Sequence, residues 1–191
     1  MVEKNKKKIS ACFEENITYM NQLLPVKESF DMIRREIEIG GKTSVFYYID
    51  GFIKDEAMLK IMDSFLSVTE EDMPDDADGF ARKNVPYVEV DILEDFDQVM
   101  RNVLSGTAVL FVDGYSECIS IDCRTYPARS VEEPDKDRSL RGSRDGFVET
   151  IVFNTALIRR RIRDPHLVME MTEAGQASRT DIALCYMSDR V

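Results

Sequence analysis

Arginines are the side chains in this sequence best placed to do chemistry, and they are crowded into one stretch. From Arg138 to Pro165, RSLRGSRDGFVETIVFNTALIRRRIRDP, there are seven, at 138, 141, 144, 159, 160, 161 and 163, against three carboxylates, Asp145, Glu149 and Asp164. The stretch carries a local surplus of four positive charges in a chain whose formal net charge is -11. Guanidinium groups hold their charge at any physiological pH and present planar forks of donors, so such an island binds anions. The anion is a partner surface, a phosphate group or an acidic neighbouring domain. Arg141, Gly142, Ser143 and Arg144 form a candidate anion cradle, with glycine-flanked N–H groups at a helix start, Ser143 as N-cap and arginine beside them. The spacing matches neither GxxxxGK[ST] nor GxGxxG, and pairing with the carboxylates of a neighbouring domain or subunit is the simpler use of those arginines. Arg159, Arg160, Arg161 and Arg163 fan around the last turn of the same helix. Cations there complement the negative end of the helix dipole, which accounts for one or two of the four and leaves the rest for a partner.

Other chemistries lack their parts. His166 is the only histidine, and no motif sets a nucleophile or base beside it, so it reads as structural and no catalytic residue is assigned. Cys12, Cys118, Cys123 and Cys185 form no CxxC pair; they read as reduced thiols of a cytosolic protein, with no metal and no cofactor expected. Glu70 to Asp78 packs six carboxylates into nine residues around Pro74. It lacks the alternating ligands and glycine of a calcium loop and reads as a surface loop. A pI near 4.7 opposes nucleic-acid binding, which calls for a basic field. No run reaches the roughly 20 apolar residues of a spanning helix. The lysines at 4, 6, 7 and 8 are followed by no apolar stretch, so they predict a solvated start and no secretory signal.

The elements that must position these residues follow from periodicity. Ser10 to Leu24 reads as a helix stopped by Pro25. Two strands around Gly40-Gly41 make a hairpin, closed by Asp50-Gly51. Glu56 to Val68 and Leu93 to Leu104 are amphipathic helices, with a short helix at Asp78 to Asn84 and an extended segment from Val85 to Val90. Thr107 to Val112 and Cys118 to Cys123 form a second hairpin about Asp113-Gly114. The predicted class is α/β (α+β): two small subdomains with mixed β-sheets flanked by helices. A basic tail and helix occupy 1–27, a first subdomain 28–124, a linker 125–140, and a second subdomain, read as truncated, 141–191.

That second piece is predicted as a helix over about 144–163 and strands over about 167–173 and 180–187. It is too small to make its own core. Either it docks on the first unit or it begins a domain completed downstream. On its helix, Phe147, Val148, Ile151, Val152, Ile158 and Ile162 share a broad apolar face, while Phe153 and Leu157 lie nearly opposite. Such a helix sits between its own sheet and something else, unless the preceding loop covers the second pair.

RGSRDGFVETIVFNTALIRRRIRDPHL, preceded by PARSVEEPD at 127–135, closely resembles the GerA family of bacterial spore germination proteins, which takes in the germinant receptor A subunits and the stage V sporulation protein AF branch. The stretches SFDMIRREIEIGGKTSVFYYIDGFIKDEAML and VLFVDGYSECISIDCRTYPARSVEEPD are most similar to that last branch. The resemblance covers nearly the whole chain from about residue 28. It implies an N-terminal domain of two α/β subdomains on the core side of the spore inner membrane, ahead of a membrane domain outside this sequence. It also implies a non-enzymatic subunit of a nutrient-sensing or ion-releasing complex, whose partners are other subunits of a receptor or channel, or further copies in a homo-oligomer. On that footing Phe153, Leu157, Arg159, Arg160, Arg161 and Arg163 are the candidate contact residues, with an acidic surface such as Glu70–Asp78 as counterpart. A small-ligand or nucleotide-binding sensor, using Arg141 to Gly146 and the cleft between subdomains, is the alternative.

Overall fold

The apolar runs VFYYI and AVLFV dictate the two central strands of the fold, both of them buried on both faces. The computed structural model describes residues 7–86, 89–126 and 146–190. Helix α1 (Phe13–Leu23) leads into the hairpin β1 (Met32–Ile39) and β2 (Lys42–Ile49). Helices α2 (Asp55–Leu66) and α3 (Ala77–Asn84) follow, then β3 (Glu89–Leu93), α4 (Phe96–Ser105), β4 (Ala108–Val112) and β5 (Cys118–Asp122). Helix α5 (Ile151–Arg161) and the hairpin β6 (Leu167–Ala174) and β7 (Thr180–Met187) complete the order.

The five-stranded sheet runs β1-β2-β4-β5-β3, and β6-β7 forms a separate two-stranded sheet. The helix-and-sheet class is the expected one, but every strand pair among the described residues is antiparallel where mixed sheets were expected. The reason lies in the connections. Three of the five pairs are hairpins or near-hairpins, and the long excursion from β2 to β4 returns on the opposite heading.

Helices cover both faces of the large sheet. Val45, Tyr47, Ile49, Val109 and Phe111 point toward α1 and α4, meeting Phe13, Ile17, Met20, Phe96, Val99 and Val103. Phe46, Leu110, Ile119 and Ile121 point the other way, toward Ala57, Ile61 and Phe65 of α2 and Phe80 of α3. Phe65 stacks on Phe46 with centroids 5.7 Å apart and receives Phe80 edge-on at 5.1 Å. Each such aromatic, fully buried, contributes on the order of 2–3 kcal/mol. The caps are local: Asp76 accepts from the Gly79 N–H at 2.7 Å and Asp95 from the Gln98 N–H at 2.8 Å. Asp95 therefore starts α4 at Phe96, and Leu93, expected as helical, ends β3 instead.

Two further expectations change. Lys7 and Lys8, read as part of a solvated tail, are held in place: the backbone of Lys8 pairs antiparallel with that of Asp95, the Ile9 N–H donates to the Glu94 carbonyl at 2.9 Å, and the Lys7 ammonium lies 3.4 Å from the Tyr19 ring centre. Buried Ile9 anchors this stretch. Helix α5 begins at Ile151, not near 144. The Asn154 side chain clasps the backbone of Val148 in both directions, donating to its carbonyl at 2.7 Å and accepting from its N–H at 2.8 Å. That offers residues 148–150 an alternative to helical bonding, in a stretch whose glycine and β-branched residues are weak helix formers.

Candidate functional site

Helix α5 lands on the turn after β2. Gly51 there has φ +79, and a Cβ on it would stand 3.1 Å from the Ala156 Cβ and 3.2 Å from the Val152 Cγ1. Only a residue without a side chain lets the helix approach so closely. The buried stripe of α5 is Thr155, Ala156 and Arg159, and Ala156 joins the core cluster of α1 and α4.

Arg159 has a side chain with 0% exposure. Its Nε donates to Asp31 Oδ2 at 2.8 Å, and its Nη2 to Asp31 Oδ1 at 3.0 Å and to Ser29 Oγ at 3.2 Å. Its Nη1 donates to the Asp164 carbonyl at 3.2 Å. Ser29 Oγ in turn donates to Asp31 Oδ1 at 2.6 Å and accepts the Met169 N–H at 2.9 Å, while the Phe30 N–H donates to the Met169 carbonyl at 2.9 Å. One guanidinium thus joins the lead-in to β1, the C-terminal turn of α5, the following loop and β6. A bidentate charge-assisted fork of this kind is among the strongest and most directional of hydrogen-bonded pairs.

Arg159 therefore departs from the expected role of an outward-facing contact. Successive helical residues turn by about 100°, so three arginines in a row sweep some 200°, and one of them must face the packed side. The one that does meets Asp31, a 2% exposed carboxylate set between half-buried Phe30 and buried Met32. The expected apolar face is displaced for the same reason: Phe147 and Ile162 are exposed, at 67% and 41%, and Ile151, Val152 and Ile158 are half-buried.

The remaining candidates lie outward. Phe153 is 46% exposed and Leu157 half-buried. Arg160 sits with its guanidinium carbon 4.5 Å from the Tyr126 ring centre; Tyr126 is itself tied by its hydroxyl to the Ser105 carbonyl at 2.8 Å. Arg161 and Arg163 are exposed. Arg141, Gly142, Ser143 and Arg144 lie outside the described residues, as does nearly all of the expected linker. His166 is exposed; its Nδ1 lies 2.9 Å from Asp164 Oδ1. The His166 backbone N–H, followed by the ring, holds the Asp164 carboxyl below its ordinary range. In the acidic run, Asp72 pairs with Lys83 at 3.0 Å, which lowers its pKa, while Glu70, Glu71, Asp75, Asp76 and Asp78 are exposed.

A cleft of about 230 Å³ lies between the end of α1 with the loop after it and the loop from α5 to β6, lined among others by Asn21, Gln22, Glu28, Pro165, His166 and Ser188. Among the described residues no group of three or more His, Cys, Asp or Glu side chains is arranged to hold a metal ion, and no helix is long and apolar enough to cross a membrane.

Comparison with known proteins places this geometry in context. Residues 18–191 match the family model described as Bacillus/Clostridium GerA spore germination protein. Stage V sporulation protein AF of Bacillus subtilis (strain 168) is 35% identical over 176 residues, covering 92% of this chain and 36% of that protein. Spore germination protein KA of the same organism is 30% identical over 166 residues, covering 85% and 30%. The chain therefore spans about a third of the length of these relatives. Among solved structures, the N-terminal domain of the A subunit of the Bacillus megaterium spore germinant receptor GerK3 superposes with a TM-score of 0.71 at 21% identity, over 96% of this chain and 68% of that one. That likeness shows the fold.

Proposed function

The chain belongs to the Bacillus/Clostridium GerA spore germination protein family, and on that premise we propose that it is the non-enzymatic, core-facing part of a membrane-embedded germination complex. Its task is contact between subunits and transmission of the signal that releases ions, within a full-length protein of the spore inner membrane. The single observation that carries this reading is exposure along and just past α5: with Arg159 turned inward, Phe153, Arg160, Ile162 and Arg163 stay at the surface. An apolar-plus-arginine patch on a chain of net charge -11 is complementary to acidic surfaces of the kind formed by Glu70 to Asp78, on another subunit or another copy.

The test is Phe153→Asp combined with Arg160→Glu and Arg163→Glu in the full-length protein. Loss of co-purifying subunits and slowed germination, at unchanged protein level, is the expected result. Normal assembly and normal germination would remove these residues from the contact. A second reading, a small-ligand sensor, is favoured by the cleft between the end of α1 and the loop from α5 to β6. Calorimetry with amino acids and nucleotides separates the two, since a contact module gives no heat with either.

A further inference from the structure

We propose that the Asp31–Arg159 pair is a latch, whose opening releases α5 and the β6-β7 hairpin as one body while the five-stranded unit stays folded. The proposal stands independently of the germination role, because it concerns how two parts of this chain are held together. Three observations carry it.

The five-stranded unit is complete without the part it holds. Both of its core clusters draw on buried residues between Ile9 and Cys123, and Ala156 alone is added from beyond. The held part has little apolar anchorage in return. Besides Ala156, its buried apolar residues are Leu167, Val168 and Met169 at the start of β6, and from Glu170 to Arg190 no residue is buried.

What stands at the centre of the seam is a charge pair rather than a weld of leucines. Taking an arginine and an aspartate out of water costs several kcal/mol for each ion, which largely offsets their attraction. Opening the seam returns both to water and recovers that solvation, whereas opening an apolar seam of equal area recovers nothing. The closed state is therefore specific without being deep. Its hydrogen bonds share atoms, Ser29 Oγ alone serving Arg159, Asp31 and the Met169 N–H, so they make and break together.

A cleft lies beside the latch, lined by Glu28 and Pro165, the chain neighbours of Ser29 and Asp164. The cleft takes its walls from both sides of the seam, Asn21, Gln22 and Glu28 on one and Pro165, His166 and Ser188 on the other. Asp164 links cleft to latch: its carbonyl accepts from Arg159 and its carboxylate holds His166.

Hydrogen exchange read by mass spectrometry on the 191-residue chain and its Arg159→Met variant tests the latch. In the variant, peptides covering residues 29–31 and β6-β7 should exchange about 100-fold faster or more, as for an uncompensated buried carboxylate, while β2 and β4 change by less than about threefold, the scatter expected of an untouched core. Loss of protection in β2 and β4 in step with β6 would overturn the proposal, and so would an unchanged β6. Should Arg159→Met fail to fold, the unaltered chain is followed in increasing sub-denaturing urea. The β6 amides must then show an opening with lower free energy and smaller urea dependence than those of β4; coincident isotherms would equally overturn it.

Discussion

A methyl group added at Gly51 should cost more than the same methyl added at Gly114, and the difference measures how tightly α5 is seated. Both glycines hold left-handed backbone, φ +79 and φ +84. Alanine in that region costs about 1–2 kcal/mol at either position. Surroundings separate the two. At Gly114 the nearest atom to an added Cβ is the mobile Lys42 Nζ at 3.8 Å. At Gly51 the new carbon meets Ala156 Cβ at 3.1 Å and Val152 Cγ1 at 3.2 Å. Carbon pairs prefer roughly 3.5–4.0 Å, so α5 must retreat by a few tenths of an ångström, an overpacking that costs about 1–3 kcal/mol. The retreat also stretches the bonds of 2.8 and 3.0 Å from Arg159 to Asp31. Gly114→Ala should thus lower the unfolding free energy by about 1–2 kcal/mol, and Gly51→Ala by about 1–3 kcal/mol more. Urea unfolding followed by circular dichroism, with the slope checked for constancy, gives both numbers. Adding Ala156→Gly to Gly51→Ala should bring a loss smaller than the sum of the singles, since it removes one of the two clashing atoms. Equal losses for the two alanine variants, or additivity in the double one, would refute the close seating.

Two titration experiments probe the interior. Burial raises the Cys123 thiol to about 11 and the Cys118 thiol well above its ordinary value; partial burial also raises Cys185, but it is exposed, as is Cys12. At pH 8 a thiol reagent should label two cysteines quickly and the other two only on unfolding; four fast thiols would contradict the packing of β5. Burial likewise raises Tyr47 and Tyr115 to about 12 from an unfolded value of 10.0. Because the folded state keeps those protons longer, its stability should fall as pH rises from about 10 to 12. A phenolate absorbance titration of the folded chain should show at least two of the seven tyrosines lagging, and in strong denaturant none; one curve near pH 10 for all seven in the folded chain would refute the burial.

The elements of the large sheet were readable because their signals are local. The Gly40-Gly41 pair between two strand-forming runs and the apolar run of β4 each specify a structure within a dozen residues. Strand direction was not readable in this way, since whether β4 lies parallel or antiparallel to β2 depends on where a connection of nearly 60 residues returns. The same distance hid the site. Arg159 and Asp31 are 128 positions apart, and the pattern around Arg159 is dominated by two more arginines that remain outside. The available hint was Asp31 itself, an acid set between Phe30 and Met32 ahead of a strand, with three successive arginines elsewhere to supply its counter-ion. The late start of α5 was equally hidden, because it rests on a single asparagine side chain folding back on Val148.

The 128-residue separation of the pair also sets an order of events during synthesis. A ribosome adding about 5–20 residues per second needs roughly 6–26 s to travel from the aspartate codon to the arginine codon, and N-terminal units fold as they emerge. All five strands of the large sheet, from Met32 to Asp122, are translated within that interval, so the sheet can close while the carboxylate at its rim still waits, hydrated, for a cation not yet made.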